Sequence, residues 1–216
     1  MHLYLIRHGQ SFVNLPDFDW TKDNVDAPLT DLGQRQAAAV ANWCKTYIPT
    51  PDALYASTMA RAQETAAIIA QAYPDLPIRS DDRIREIGNN RFDHTPYPLN
   101  EPHMQFNNYW PSERPFAPTI RAGGAETMMH FRTRVGIFLE DLLEAHRDHT
   151  VIVVSHGGVM EAILDLVFNI GSYRRCEVWT YNTGVTHLQY VAHPNREVWR
   201  LRLHSSIEHL TPNLRT

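Results

Sequence analysis

Apolar and polar positions along this chain follow two periods. The run Leu3-Tyr4-Leu5-Ile6 is short and continuous and opens directly into Arg7-His8-Gly9, which predicts a buried strand carrying a guanidinium and an imidazole to its carboxyl end. The run Thr150-Val151-Ile152-Val153-Val154 has the same build and ends in Ser155-His156-Gly157-Gly158. Ala53 to Ala56 and the stretch from Pro77 to Ser80 read as further short strands. Residues 185–191 and 197–204 read as late strands that finish the sheet, with antiparallel pairing left open. Between them, three- and four-residue spacing predicts helices over Asp31 to Tyr47 with Thr30 as cap, from a Ser57 cap through Tyr73, over Glu126 to His146, and from Gly157-Gly158 through Phe168. Strands alternating with helices make an α/β fold, in which the carboxyl ends of strands face the ligand crevice.

Two segments fit neither period. Gln10 to Pro28 reads as a loop bordering the strand ends. Residues 89–124 collect Pro96, Pro98, Pro102, Pro111, Pro115 and Pro118 among Phe92, Tyr97, Phe106, Tyr109, Trp110 and Phe116. So long an aperiodic stretch is either a cap inserted over the substrate or a proline-stiffened excursion packed onto the surface. As a cap, it would offer Arg114, Arg121 and Trp110 as contacts.

Composition narrows the class. A chain of 216 residues, 43% hydrophobic and 20% charged, can bury its own core, and we read 1–216 as one domain with 89–124 as its insertion. A net charge of −4 gives no basic footprint for nucleic acid or an anionic membrane. The site-like residues begin too near Met1 for a secretion signal, and no apolar run approaches a membrane span, so a cytoplasmic protein is expected. Cys44 and Cys176 lack paired spacing and read as reduced thiols. Whether the chain forms a homodimer is not legible.

The chemistry follows from what converges at the strand ends. A lone histidine at such a position is more often structural; two strands each delivering His-Gly make a constellation. Arg61 falls in the first turn of its helix, where a cation is disfavoured unless an anion belongs there too. The guanidiniums of Arg7 and Arg61 match phosphoryl oxygens, and Gly157-Gly158 adds a helix N-terminus beside His156. The expected ligand is a small phosphate monoester. No GK[ST]-ended phosphate loop and no GxGxxG occurs, which disfavours nucleotide-triphosphate and dinucleotide chemistry. His146, Asp148 and His149 lack a further ligand at metal spacing and read as surface residues, so neither metal nor cofactor is expected. His8, as a neutral imidazole, could attack phosphorus, and a protonated His156 would steady the equatorial oxygens. Glu86 could protonate the leaving alkoxide, since a neighbouring phosphate favours a carboxyl group's acid form. Its own pattern favours an exposed edge carboxylate paired with Arg83 or Arg85, and the proton-donor role rests on the residues it keeps company with.

The segments LIRHGQS at 5–11, PLTDLGQRQA at 28–37, ASTMARAQETA at 56–66, IREI at 84–87, AGGAET at 122–127 and VVSHGG at 153–158 resemble, in order, the motif series of the histidine phosphatase superfamily, the phosphoglycerate-mutase-like proteins. The resemblance runs from residue 3 to about 168. It implies a three-layer α/β/α sandwich with a mostly parallel central sheet and metal-free catalysis through a phosphohistidine. It makes His8 the nucleophile, Arg7, Arg61 and His156 the phosphate pocket and Glu86 the proton donor. Asn14 matches a phosphate-binding position, Gln10 a pocket-lining one and Gly157 a backbone contact. The stretch after Glu86 lacks the Tyr-Gly and Glu-Arg-Tyr-type motifs of the glycolytic mutases, and His156 is followed by Gly rather than the Asp of acid phosphatases. A phosphatase is therefore expected ahead of a mutase, and either ahead of a non-catalytic phosphate-binding scaffold.

Overall fold

Alternate side chains of each strand face opposite sides of the sheet, and in the central strands both sides are apolar. In β1 (His2–Arg7), Leu3 and Leu5 point to one side of the sheet and Ile6 to the other; in β4 (Thr150–Ser155), Val151 and Val153 oppose Ile152 and Val154 in the same way. A computed structural model describes residues 1–20, 23–98, 107, 111–174 and 176–216. Its six-stranded sheet adds β2 (Ala53–Ser57), β3 (Ile78–Asp81), β5 (Val185–His193) and β6 (Arg196–Ser206) in the order β3-β2-β4-β1-β5-β6. The pairs β3-β2, β2-β4 and β4-β1 are parallel; β1-β5 and β5-β6 are antiparallel. The sheet is mixed and mostly parallel, and the antiparallel pairing left open for the late strands is what the chain adopts.

Helices cover both faces. On one side α1 (Asp31–Tyr47) and α2 (Ala60–Ala70) bury Val40, Cys44, Ala62, Ala66 and Ile69 against Ile6, Leu54, Ile152 and Val154. On the other, α3 (Met128–His146) and α4 (Gly157–Val167) bury Phe131, Val135, Phe138, Met160 and Ile163 against Leu3, Leu5, Val151 and Val153. Each such large side chain contributes roughly 1.5–3 kcal/mol on burial, so these two clusters dominate the stability that holds the strand ends in place.

Helix starts follow local chemistry where it is local. Thr30 caps α1, its Oγ1 accepting from Gly33 N at 3.0 Å. Ser57 does not cap α2. It closes β2 instead, and α2 begins three residues later because Asp26 Oδ1, from the preceding loop, accepts from Ala60 N at 2.6 Å. The helix also ends at Ala70, short of Tyr73. α3 starts at Met128 rather than Glu126, with Thr127 as cap, because Glu126 turns inward. His146 is not a surface residue: it continues the Phe138-Leu142 stripe of α3, is 6% exposed, and its Nε2 lies 3.0 Å from the Tyr55 hydroxyl. Among the described residues no three histidine, cysteine or carboxylate side chains gather to hold a metal, and no helix is long and apolar enough to cross a membrane. Cys44 is buried and Cys176 exposed, and both are free.

Of segment 89–124, residues 99–106 and 108–110, including Pro102, Phe106, Tyr109 and the candidate contact Trp110, lie outside the described residues. The described part contains no helix or strand, only bridges such as Asn90 to Pro96, Arg91 to Ala125 and Pro118 to Thr127.

Candidate active site

Three parallel strands end side by side, and each ends on a polar residue. The register pairs Arg7 with Ser155, His8 N donates to Ser155 O at 2.9 Å, and Ser57 closes β2. His8 and His156 therefore leave adjacent strands together, with ring centroids 5.1 Å apart. Two helix N-termini point at the same place: α4 starts at Gly157, and Arg61 is the second residue of α2. The structure thus gathers Arg7, His8, Arg61 and His156 from residues up to 149 positions apart in sequence.

His8 is buried and held in one orientation. Its Nδ1 lies 2.7 Å from Gly9 O, an acceptor only, so Nδ1 carries the proton and Nε2 keeps its lone pair. That Nε2 accepts from Arg61 Nε at 3.2 Å. Burial, followed by Arg61 and Arg7, pushes the His8 imidazolium well below its ordinary range, so the ring is neutral near pH 7. His156 is displaced the same way, chiefly by burial and then by Arg61, His8 and Arg7. Without an anion, burial and the neighbouring guanidiniums favour the neutral ring; the expectation of a protonated His156 concerns the site with phosphate bound. The His156 Nε2 lies 2.8 Å from Ser57 Oγ, which itself accepts from Met59 N at 3.4 Å.

The arginines are anchored by carbonyls rather than by carboxylates. Arg7 Nη1 donates to Thr180 O, and Arg61 Nη1 donates to Val25 O at 2.9 Å. Burial lowers Arg61 to about 10, and it remains charged at neutral pH. Arg7 Nε and His156 Nδ1 are buried with no partner among the described residues. A buried donor such as Arg7 Nε left so costs about 1–3 kcal/mol, and an anion oxygen would satisfy it.

Glu86 is not the edge carboxylate of the alternative reading. Arg83 pairs with Asp81 and Asp141, and Arg85 with Asp82, while the Glu86 carboxylate accepts from Ile87 N at 2.9 Å and Gly158 N at 3.3 Å. Gly158 is required by that approach, since a Cβ there would sit 2.3 Å from Glu86 Oε1. A Cβ on Gly157, by contrast, would meet Arg7 Nε at an ordinary 3.7 Å. Asn14 Oδ1 accepts from Ser11 N at 3.0 Å and Asn182 Nδ2 at 3.4 Å, which leaves the Asn14 amide nitrogen as a donor. Gln10 is tied to the start of α1, with Oε1 accepting from Thr30 Oγ1 at 2.8 Å.

Several supports were not read from the sequence. Asn182 Nδ2 donates to His8 O at 3.0 Å and Thr183 N to Arg7 O at 3.0 Å, so the 180–184 turn braces the strand end from behind. Arg134 and Glu126 form a fully buried two-point ion pair, both contacts 2.8 Å. Arg134 also donates to the carbonyls of Arg83, Arg85 and Glu86, and Glu126 accepts from Gly88 N at 2.7 Å, so the pair clamps the backbone on both sides of Glu86. One signal was available: Arg134 lies three residues after Phe131 and four before Phe138, on the apolar stripe of α3.

Beside Glu86 a cavity of about 710 Å³ opens, reached by Ile87 and Gly158 and closed partly by Asn107, Pro111, Ser112 and Glu113 of the 89–124 segment. Arg114 and Arg121, expected as cap contacts, are exposed and do not line it.

Comparison with known proteins shows the family to which the chain belongs. A protein of Hydrogenobacter thermophilus assigned as phosphoserine phosphatase 2 is 30% identical over 191 residues, covering 86% of this chain and 88% of its own. One assigned as a phosphoglycerate mutase, from an Enterobacter species, is 26% identical and covers 97% and 95%. The crystal structure of phosphoserine phosphatase from Entamoeba histolytica in complex with 3-phosphoglyceric acid superposes with a TM-score of 0.73 at 24% identity, covering 97% of this chain and 99% of that one. The model of the histidine phosphatase superfamily, branch 1, matches residues 3–203, and the chain belongs to that superfamily.

Proposed function

We propose that the chain is a phosphatase that hydrolyses a small phosphate monoester through a phosphohistidine on His8. The observation that carries this reading is the His8 ring, with its proton fixed on Nδ1 by Gly9 O and its neutral Nε2 turned towards Arg61. Arg7, Arg61, His156 Nδ1, the Asn14 amide and the α4 N-terminus at Gly157 bind the phosphoryl oxygens, with Gln10 lining the pocket. As the ester binds, the Arg61 fork exchanges its contact with Nε2 for phosphoryl oxygens. Nε2 then attacks phosphorus, the P–O bond to the alcohol breaks, and the Glu86 carboxylic acid protonates the departing oxygen. Water next attacks the phosphohistidine, gives a proton to the Glu86 carboxylate, and the N–P bond breaks to release phosphate. The reading needs no metal or cofactor, takes 1–216 as one domain with 89–124 as the substrate cap, and places the free thiols of Cys44 and Cys176 in the cytoplasm.

The mutase reading keeps one support, the similarity to a protein assigned as a phosphoglycerate mutase. The test is incubation with nitrophenyl phosphate and with 3-phosphoglycerate in the presence of a chelator, measuring free phosphate and isomerised product. Free phosphate, lost in His8→Ala, is expected; isomer without phosphate would establish the mutase, and no turnover would leave a binding scaffold. Glu86→Gln should slow alkyl ester hydrolysis by about 10²–10⁴-fold and nitrophenyl phosphate far less, because nitrophenolate leaves without a proton.

A further inference from the structure

The aim of the His8 ring depends on two peptide planes that meet at Gly9. In the second plane, Gly9 O takes the His8 Nδ1 proton at 2.7 Å, and Gln10 N, rigidly joined to that carbonyl, donates to Gln36 Oε1 at 2.7 Å. In the first, His8 O accepts from Asn182 Nδ2 at 3.0 Å and from Thr183 N at 3.3 Å, and Gly9 N donates to Thr65 Oγ1 at 3.1 Å. Glycine restricts its own dihedrals less than any other residue, yet no larger residue fits, because a Cβ on Gly9 would stand 2.5 Å from Gly33 O. The two planes must therefore be held from outside.

These contacts also fix how the two supporting amides are turned. Gln10 N can only donate, so Gln36 presents Oε1 to it and turns Nε2 away; His8 O can only accept, so Asn182 presents Nδ2 and turns Oδ1 away. The two ends turned away meet at one hydroxyl. Gln36 Nε2 donates to Thr216 Oγ1 at 2.8 Å and to Leu214 O at 2.7 Å, and Thr216 Oγ1 donates to Asn182 Oδ1 at 3.2 Å. From Gln10 N through Gln36, Thr216 and Asn182 to His8 O, every group donates to the next, an arrangement in which the bonds strengthen one another. Gln36 and Asn182 are buried and Thr216 is exposed, so the hydroxyl can be altered without opening the core.

Resting on the phosphohistidine reading, we propose that Thr216 is a positioning residue for the nucleophile: its hydroxyl locks Gln36 to Asn182, and through them the two peptide planes that aim His8 Nε2 at phosphorus. Thr216 acts only through these partners. A displacement of about 1 Å at a reacting group can cost about 10²-fold, so a brace 180 positions from Gln36 in sequence still bears on the attack. Arg7 and Arg61 are anchored on Thr180 O and Val25 O, outside this series, so the hold on the phosphoryl oxygens does not depend on it.

The test is Thr216→Val, which keeps the shape and removes the hydroxyl, beside Thr216→Ser, which keeps the hydroxyl, both in the intact protein. With nitrophenyl phosphate, kcat/KM should fall about 3- to 10-fold in the valine variant, the effect of one neutral hydrogen bond, and stay near the parent value in the serine variant. The inhibition constant of inorganic phosphate should not move, which places the loss in the attack rather than in binding. In an Asn182→Ala background the same valine change should cost almost nothing, since the series is already broken. Undiminished kcat/KM in Thr216→Val, an equal loss in Thr216→Ser, or the full loss repeated in the Asn182→Ala background would overturn the proposal. So would a parallel loss of phosphate binding and of thermal stability, which marks a hydroxyl that only packs its own segment. Each of these leaves the phosphatase reading standing while the parent releases phosphate through His8; a parent that does not would sink both.

Discussion

Replacing Gly158 by alanine should separate folding from chemistry. The new Cβ would stand 2.3 Å from Glu86 Oε1, and the carboxyl group must retreat by about 1 Å to reach van der Waals contact. Nothing else need move, since that oxygen is the far end of a flexible side chain and Gly158 has an ordinary helical backbone. Alanine inside a helix is favoured over glycine by up to about 1 kcal/mol, so the thermal midpoint should hold or rise slightly. A displacement of about 1 Å at a catalytic group can cost about 10²-fold, and that loss should fall on alkyl phosphates, whose leaving oxygen needs a proton. Nitrophenyl phosphate should lose less than about 10-fold by the same reasoning, as its departure bypasses the acid. The assay is kcat/KM for both ester types alongside a melting curve. Equal losses on the two esters would show that the clash disturbs the phosphate pocket rather than Glu86, and undiminished alkyl ester hydrolysis would remove Glu86 from the mechanism. Gly157→Ala is the comparison, and with its Cβ at 3.7 Å from Arg7 Nε it should cost less and cost both esters alike.

Arg134→Met should destabilise the protein by about 3–5 kcal/mol, because Glu126 stays behind as an unpaired buried charge, and Arg134→Met with Glu126→Gln should recover part of that in denaturant titrations; a single mutant as stable as the parent would deny the pair its role as a clamp. Stability should fall as pH drops below about 6.5. His8 and His156, together with His187 and His209, have folded values held below the unfolded one, so the unfolded chain takes up protons first, each site costing up to about 1.4 kcal/mol per pH unit until the folded value is reached; urea midpoints measured from pH 7 to 5 check the sign, and a flat profile would mean these rings are not held neutral. For the same reason the acid limb of kcat/KM with nitrophenyl phosphate should lie below pH 6.5, the ordinary imidazole value, and a limb above it would show a proton that must first leave His8.

What the sequence made legible was local. Thr30 and the Asp31–Tyr47 helix, the two His-Gly strand ends and Arg61 in a first helical turn follow from patterns a few residues wide. Long-range competition hid the rest. Ser57 has the side chain of a cap, but His156, 99 positions away, takes it, and Asp26 caps α2 from another loop. Asn182 reaches His8 O across 174 positions, a contact that no spacing rule anticipates. Glu86 sits in a pattern that fits surface pairing, and it is Ile87 N, Gly158 N and the buried Arg134–Glu126 pair that give it a fixed place. The downward displacement of His156 comes chiefly from burial and then from Arg61, His8 and Arg7, an environment that exists only once the strands are side by side.

The most direct test of the central claim is to quench the protein in alkali within its first turnovers of nitrophenyl phosphate and map the phosphoryl group by mass spectrometry, since phosphohistidine survives base and is lost in acid. A phosphoryl group on the peptide that carries His8, formed and discharged at the rate of turnover and lost on acidification, is the expected result. Steady hydrolysis with no trapped phosphoenzyme, or with the label on His156, would contradict it.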